Sequence, residues 1–397
     1  MVKVNDAVSI VKCSDYEYDR VRGAVKESID LLGGMTQLVK PGQRVLLKLN
    51  LLTAAPPEKA VTTHPAVVLA LSELVREAGG RPLVADSPGP IPYTQAGLKR
   101  AYKAAGLLEL AEAGGFELNW DTSVQWLSFA GGKTIKRIEV MSPVIESDVI
   151  IAVPKLKTHM FTTFTGAAKI LFGVIPGLAK AGYHAKLQSS EQFADMLLDI
   201  ILAVKPALFV MDGVLALEGD GPGLHGIPRP LGIVMASRDP IAIDAIACDI
   251  ININPLDVPM LSAALDRGMW NGKLDKLPVV GALPPEVAVQ DFKKPSRVAR
   301  DARGLDRLAR YQRVWAPVVK QSLTPRPVPD KEKCSGCATC YTTCPQGAVT
   351  ISKGRAFIND RACIRCYCCH EMCPEAAIEL KFSLPGRIIR RFGLLGR

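Results

Sequence analysis

No apolar run in this sequence reaches the roughly 18 residues needed to span a bilayer. Its opening stretch, MVKVNDAVSIVKCSDYEYDR, is too charged for a secretory signal. Those two absences set a cytoplasmic expectation. Nucleic-acid-binding motifs are also missing, and Lys and Arg are scattered along the chain, so no nucleic acid is expected as a partner. Both phosphate-binding signatures fail. Gly132-Lys133-Thr134 ends like a P-loop, but its leading glycine would fall on Leu127. Gly221-Pro222-Gly223-Leu224-His225-Gly226 spells G-x-G-x-x-G, yet Ile227-Pro228-Arg229-Pro230 follows where a helix has to start. No flavin or nicotinamide signature stands in their place. Most of the chain is also poor in cysteine, with only Cys13 and Cys248 outside the window from Cys334 to Cys373.

The 397 residues exceed what one core usually organises, so a large and a small domain are expected, and 48% hydrophobic residues supply ample core. A net charge of +10 asks for a partner of opposite sign. An acidic redox partner protein, an anionic small-molecule substrate and an anionic membrane surface all answer it.

Nine of the 11 cysteines crowd into that one window, and in a reducing compartment such crowding reads as metal binding. Cys334, Cys337, Cys340 and Cys344 precede Pro345; Cys363, Cys366, Cys369 and Cys373 precede Pro374. Both runs spell C-x2-C-x2-C-x3-C-P, the bacterial two-cluster ferredoxin pattern, in which the fourth cysteine of each run ligates the other cluster. The pattern gives one [4Fe-4S] cluster to Cys334, Cys337, Cys340 and Cys373, and a second to Cys363, Cys366, Cys369 and Cys344. Pro345-Gln346-Gly347-Ala348-Val349 matches Pro374-Glu375-Ala376-Ala377-Ile378, so each half supplies a helical turn and a strand start. Cys368 falls at the place of Thr339 and reads as a non-ligand. Structural zinc would use two separated pairs of ligands instead.

The module spans 330–382. Before it, 291–329 reads as a linker, Arg-rich from Lys293 to Arg313 and then Pro-rich; after it, 383–397 reads as a basic amphipathic tail suited to peripheral membrane contact. Residues 1–290 alternate apolar runs (Val8–Val11, Arg44–Leu49, Pro82–Ala85, Val149–Val153, Leu208–Met211, Leu231–Met235) with helical spacing over His64–Ala78, Leu98–Ala113 and Glu191–Val204. The alternation predicts an α/β domain with a mostly parallel sheet, its functional groups on loops beyond the carboxyl ends of the strands. Three stretches carry polar chemistry there. Lys155, Lys157, His159 and Lys169 form an expected anion-binding loop, with His159 as acid or base. Asp212, Glu218 and Asp220 enter a glycine-rich loop, suited to a divalent cation or to pairing with the lysines. Asp239 precedes Pro240 as a helix cap, and Asp244, in an apolar helix, needs a partner, for which a lysine is expected.

Lys155-x-Lys157-Thr158-His159 with Lys169, Asp212-Gly213 with Glu218-Gly219-Asp220-Gly221-Pro222-Gly223, and Ser237-x-Asp239-Pro240 with Asp244-Ala245 together resemble the domain of unknown function 362 family of iron–sulfur proteins, over roughly residues 8–290. The resemblance implies an α/β domain with an unassigned polar site, often joined to ferredoxin-like clusters, and no reaction. Three functions follow as expectations. In the first, electrons pass through two [4Fe-4S] clusters to or from an anionic substrate or further cofactor; His159, Lys157 and Glu218 are the catalytic candidates and Lys155, Lys157, Lys169, Asp212 and Asp244 the binding ones. The second is a carrier or scaffold that docks a partner enzyme. The third is a non-redox enzyme with structural clusters.

Overall fold

The computed structural model describes residues 7–89, 92–177, 179–187, 189–296 and 324–382. The expected basic tail and the greater part of the expected linker lie outside the described residues.

A large α/β domain carries a mostly parallel sheet. Its strands are β1 (Val8–Lys12), β2 (Arg44–Leu49), β3 (Arg81–Ala85), β4 (Glu117–Leu118), β7 (Val149–Val153), β8 (Lys155–His159), β9 (Thr163–Thr165), β10 (Leu208–Gly219), β11 (Gly226–Ser237) and β12 (Val279–Gly281), while β5 (Val124–Ser128) and β6 (Arg137–Met141) form a separate hairpin. The order is β12-β1-β11-β10-β7-β2-β3-β4, with β8 beside β10 and β9. The β2, β3, β4 and β7 ladders are parallel, and β11 runs antiparallel to both its neighbours. Central parallel strands are buried on both faces, which is why they read as continuous apolar runs. The two-residue period divides them. Leu46, Ile150, Phe209 and Met211 join the core under the helices Ser190–Val204 and Pro240–Ile250. Val45, Leu47, Val149, Ile151 and Val210 join the core under Tyr18–Asp30 and Pro65–Glu77.

Three expectations are corrected by the structure. The stretch from Lys155 to His159 is a buried strand rather than a loop: after Pro154 the chain leaves β7 and runs on beside β10, pairing Lys155 with Asp212 and Lys157 with Leu217. Asp212 and Gly213 sit inside the twelve-residue β10, where the register shifts between Gly213 and Leu215. The single helix expected over 98–113 is two, Gln95–Ala104 and Leu107–Glu112, parted at Gly106, whose φ of 69° is left-handed and closes the first helix.

The small C-terminal domain has short antiparallel strands. β13 (Arg326–Pro329) pairs with β16 (Ile378–Lys381), and β14 (Val349–Ser352) with β15 (Arg355–Ile358). The end of the expected Pro-rich linker is therefore an edge strand, where proline is tolerated. This domain lies against the loop between β10 and β11. His225 stacks on His370 at 3.9 Å. A Cβ on Gly223 would collide with the backbone oxygen of Glu371, and one on Gly89 would meet the Met372 side chain.

Candidate functional site

Two small cavities in the C-terminal domain are each lined by four of the expected cysteines. Cys334, Cys337, Cys340 and Cys373 surround one, of about 300 Å3; Cys344, Cys363, Cys366 and Cys369 surround the other, of about 320 Å3. The thiols ring a space instead of converging on a point, which suits a cubane better than one tetrahedral ion. The local backbone is built in matching halves. Gly336 and Arg365, Ala338 and Tyr367, and Gly347 and Ala376 hold equivalent places, and all six have positive φ. Four of the six carry side chains that this conformation strains, a condition found at ligand clamps. Ala348 N–H donates to Cys344 Sγ and Ala377 N–H to Cys373 Sγ, both at 3.2 Å. Amide donors of this kind stabilise thiolates, so the residues present fit iron–sulfur clusters.

A third cavity, of about 770 Å3, opens between the two domains. Its floor lies beyond the carboxyl ends of β2 and β3, at Asn50–Leu52 and Asp86–Ser87, the place where α/β sheets bind ligands. Lys157 from β8, Lys169 from the helix Ala167–Ile170, and Lys180 and His184 from the helix Ala179–Lys186 form the walls. Thr343, Cys368, Glu371 and Met372 close it from the C-terminal domain. Cys368 thus faces this cavity, while its neighbours Cys366 and Cys369 line the cysteine cavity behind it.

The electrostatics are those of buried charge. Lys48, within the otherwise apolar β2, pairs with Asp86 at 2.7 Å and donates to the carbonyls of Leu49 and Ile170, so that pair is neutral and saturated. Gly173 packs against both members, with no room for a Cβ. Among the described residues, Lys157 donates only to the Val61 carbonyl, at 2.9 Å. Lys169 lies 5.8 Å from the Phe172 ring centroid and has no hydrogen-bonded partner among the described residues. Desolvation, then the charges of Lys169 and Lys155, pushes the Lys157 ammonium well below its usual range. Burial brings Lys180 down to about 7 and His184 to about 3, so His184 is neutral. Glu371 leaves Oε1 without a hydrogen-bond donor among the described residues.

Of the residues singled out from sequence, Lys157 and Lys169 reach this cavity; the others do different work. Lys155 bonds Asp212 at 2.8 Å and Tyr16 Oη at 2.6 Å, Tyr16 donates back to Asp212 and stacks on His64, and Asp212 also accepts from His64 N–H. That network is closed on itself. Glu218 accepts from Lys293 N–H at 3.0 Å and Asp220 from Ser296 N–H, so these acids fasten the chain after the core. Among the described residues no group of acids, histidines and cysteines is gathered to hold a single metal ion. Asp244 caps the helix Ala167–Ile170, accepting from Ala167 and Ala168 N–H at 2.6 and 2.8 Å; backbone amides serve it where a lysine was expected. His159 is fully buried, accepts from Phe161 N–H through Nδ1, lies 3.8 Å from Glu371 Oε1 and does not line the cavity. Sequence reasoning missed Lys48, Asp86, Lys180, His184 and Glu371. A lysine inside RVLLKL and an acid directly after the apolar β3 were the available signals.

Comparison with known proteins follows the same division. The domain of unknown function (DUF362) matches residues 45–249, and a 4Fe-4S dicluster domain matches residues 326–374. A thylakoid-associated protein of Synechocystis sp. is 33% identical over 326 residues, covering 80% of this chain and 97% of its own. Among solved structures, the lactate racemase apoprotein of Thermoanaerobacterium thermosaccharolyticum aligns at a TM-score of 0.32 and 14% identity, over 53% of this chain and 51% of that one. A Thermotoga maritima protein aligns at 0.38 and 12%, over 60% of each chain.

Proposed function

Since the chain belongs to the DUF362 family and is an iron–sulfur protein with a 4Fe-4S dicluster domain, we propose that it exchanges single electrons with a small anionic molecule bound between its two domains. Two [4Fe-4S] clusters are assigned, one to Cys334, Cys337, Cys340 and Cys373 and the other to Cys363, Cys366, Cys369 and Cys344. Bound there, they supply one-electron chemistry at low potential. The chain's own residues do the rest. Lys157, Lys169 and Lys180 hold the anion, the apolar wall of Ile170, Phe172 and Met372 excludes water, and Glu371 Oε1 accepts a hydrogen bond from the ligand. The observation that carries this reading is the shared cavity, in which Cys368, flanked by Cys366 and Cys369, faces buried lysines of the α/β domain.

A carrier that only docks a partner enzyme would have no use for a lysine-lined cavity between its domains, so the enzyme reading is favoured. A membrane-surface setting belongs to the same proposal, because the Synechocystis relative is described as thylakoid-associated.

Anaerobic purification, iron analysis and electron paramagnetic resonance of the reduced protein test it. The expected content is about eight irons per chain, kept in Cys368→Ser and reduced in Cys369→Ser. Mass spectrometry should find a co-purifying anion that speeds reoxidation of the reduced clusters. A bound anion that leaves reoxidation unchanged would refute electron exchange with it.

A further inference from the structure

The two halves of the C-terminal domain repeat each other in backbone but not in charge. Gly336 and Arg365 hold the same place in their cysteine runs, and both have positive φ, 71° and 61°. Glycine is the ordinary residue for that conformation, and in the first half space demands it too, since a Cβ on Gly336 would meet the Gly354 backbone oxygen. The second half carries a long cationic side chain there in spite of the strain. That side chain is 9% exposed and donates through Nη1 to Asp360 at 2.7 Å. Asp360 is half-exposed, so water weakens its field, and it faces Arg326 as well. Nε of Arg365 is buried and has no hydrogen-bond acceptor among the described residues. The backbone N–H and the guanidinium of Arg365 both act on the Cys363 thiol.

A second difference points the same way. Gln346 and Glu375 are matched residues, each following the proline that ends its run. Glu375 lines the cavity of Cys334, Cys337, Cys340 and Cys373 and acts on Cys337; Gln346 lines the cavity of Cys344, Cys363, Cys366 and Cys369. The first cavity therefore has a carboxylate where the second has an uncharged amide. Lys333, beside Cys334, is exposed and paired with Asp330 and Glu379. Glu371 acts on Cys366 in the second half, but Lys169 and Lys157 face it and offset its charge.

Reduction makes a thiolate-held cluster more negative, so nearby positive charge and N–H donors raise its potential and a carboxylate lowers it. Solvent opposes this order at one point, because Cys337 is exposed and hydration favours the reduced form of its cluster. A buried guanidinium acts through a low dielectric and outweighs the hydration of a single ligand.

We propose that Arg365 sets the second cluster at a higher potential than the first, which Glu375 lowers, so that one electron taken from a one-electron donor rests on the cluster held by Cys344, Cys363, Cys366 and Cys369. No bond forms or breaks in that step. The favoured cluster is the one whose ligands Cys366 and Cys369 flank Cys368, which faces the inter-domain cavity. The proposal rests on the assignment of two clusters and not on the anion.

Anaerobic redox titration of the iron-loaded, full-length protein with dithionite, followed by electron paramagnetic resonance, tests it. The wild type should show two midpoints. Arg365→Gly copies the first half, and Arg365→Asn is a second neutral variant that tolerates positive φ. At least one should keep about eight irons per chain. Either should lower the higher midpoint, by roughly tenfold in the ratio of reduced to oxidised cluster or about 59 mV for one electron, and leave the lower midpoint in place. Arg365→Lys keeps the charge and should stay close to the wild type. Glu375→Gln copies the second half and should raise the lower midpoint by a smaller factor, because Glu375 is exposed. A single shared midpoint in the wild type, a neutral variant that moves the lower midpoint or neither, or Arg365→Lys behaving like the neutral variants would overturn the inference. Loss of iron from both neutral variants would also overturn it, by making Arg365 a structural residue. About four irons in the wild type would instead remove the two-cluster assignment itself.

Discussion

Lys180 shows how burial turns an ordinary side chain into a titrating one near neutrality. Desolvation lowers it to about 7, opposed by Asp86 and reinforced by Lys48 and Lys169. Unfolded, the same group titrates near 10.4. Between those values the unfolded chain binds more protons than the folded one, so this lysine makes stability rise with pH across that window. Below about pH 7 both states are protonated and the cost of the buried charge is present in full. In Lys180→Met that cost is gone. Urea unfolding should therefore give a variant-minus-wild-type stability difference that is most positive below about pH 7 and falls steadily toward about pH 10. A constant difference across that range would mean that Lys180 stays in one protonation state. Anion binding runs the other way, tightening as pH falls through about 7, because the ammonium is what the ligand needs.

At the scale of elements, the position of the C-terminal domain depends on the loop between β10 and β11. Gly223 has no positive φ to explain it; its reason is space, since a Cβ would meet the backbone oxygen of Glu371. Gly223→Ala should push the loop off the helix Cys368–Glu371 and loosen one wall of the cavity. The expected outcome is weaker anion binding with an unchanged unfolding midpoint of the α/β domain, read by titration and calorimetry together. Unaltered affinity would show that the wall tolerates the shift. The strands themselves were legible where burial is apolar: β2 and β7 occupy the ranges that their sequences suggest. β8 and the outer half of β10 were not, because Lys155, Asp212 and Glu218 look like solvent-facing residues. They are inside because each finds its partner far away in sequence, at Tyr16, His64 or Lys293. Burial of a charge depends on a partner, and sequence spacing does not show which residue that will be.

For the molecule as a whole, the two domains differ in what stabilises them. The α/β domain has two extensive apolar layers on either side of its sheet. Among the described residues, the main apolar cluster of the C-terminal domain has seven buried members, three of them cysteines, which is too little to fold a unit of this size alone. Metal binding is then folding free energy for that domain. Iron chelation under anaerobic conditions should unfold it while leaving the α/β domain intact: calorimetry should lose a smaller transition and keep the main one, and anion binding should be lost with the cavity wall. A single cooperative transition in both states would mean that the interface, not the iron, holds the small domain.

Read alone, the sequence determined the family, the iron–sulfur character of the cysteine-rich window and the central apolar strands such as β2 and β7, because ligand spacing and hydrophobic period are local and carry their geometry with them. Within the candidate site it pointed to Lys157 and Lys169 and to the ends of strands. Only the tertiary structure decided which polar residues share one cavity. It sent Lys155 and Asp212 into a closed network, gave Asp244 to a helix start, and brought Lys180, Asp86 and Glu371 together from three separate parts of the chain. The physical reason is that a charge's role is fixed by what neutralises it, and those neighbours are chosen by packing.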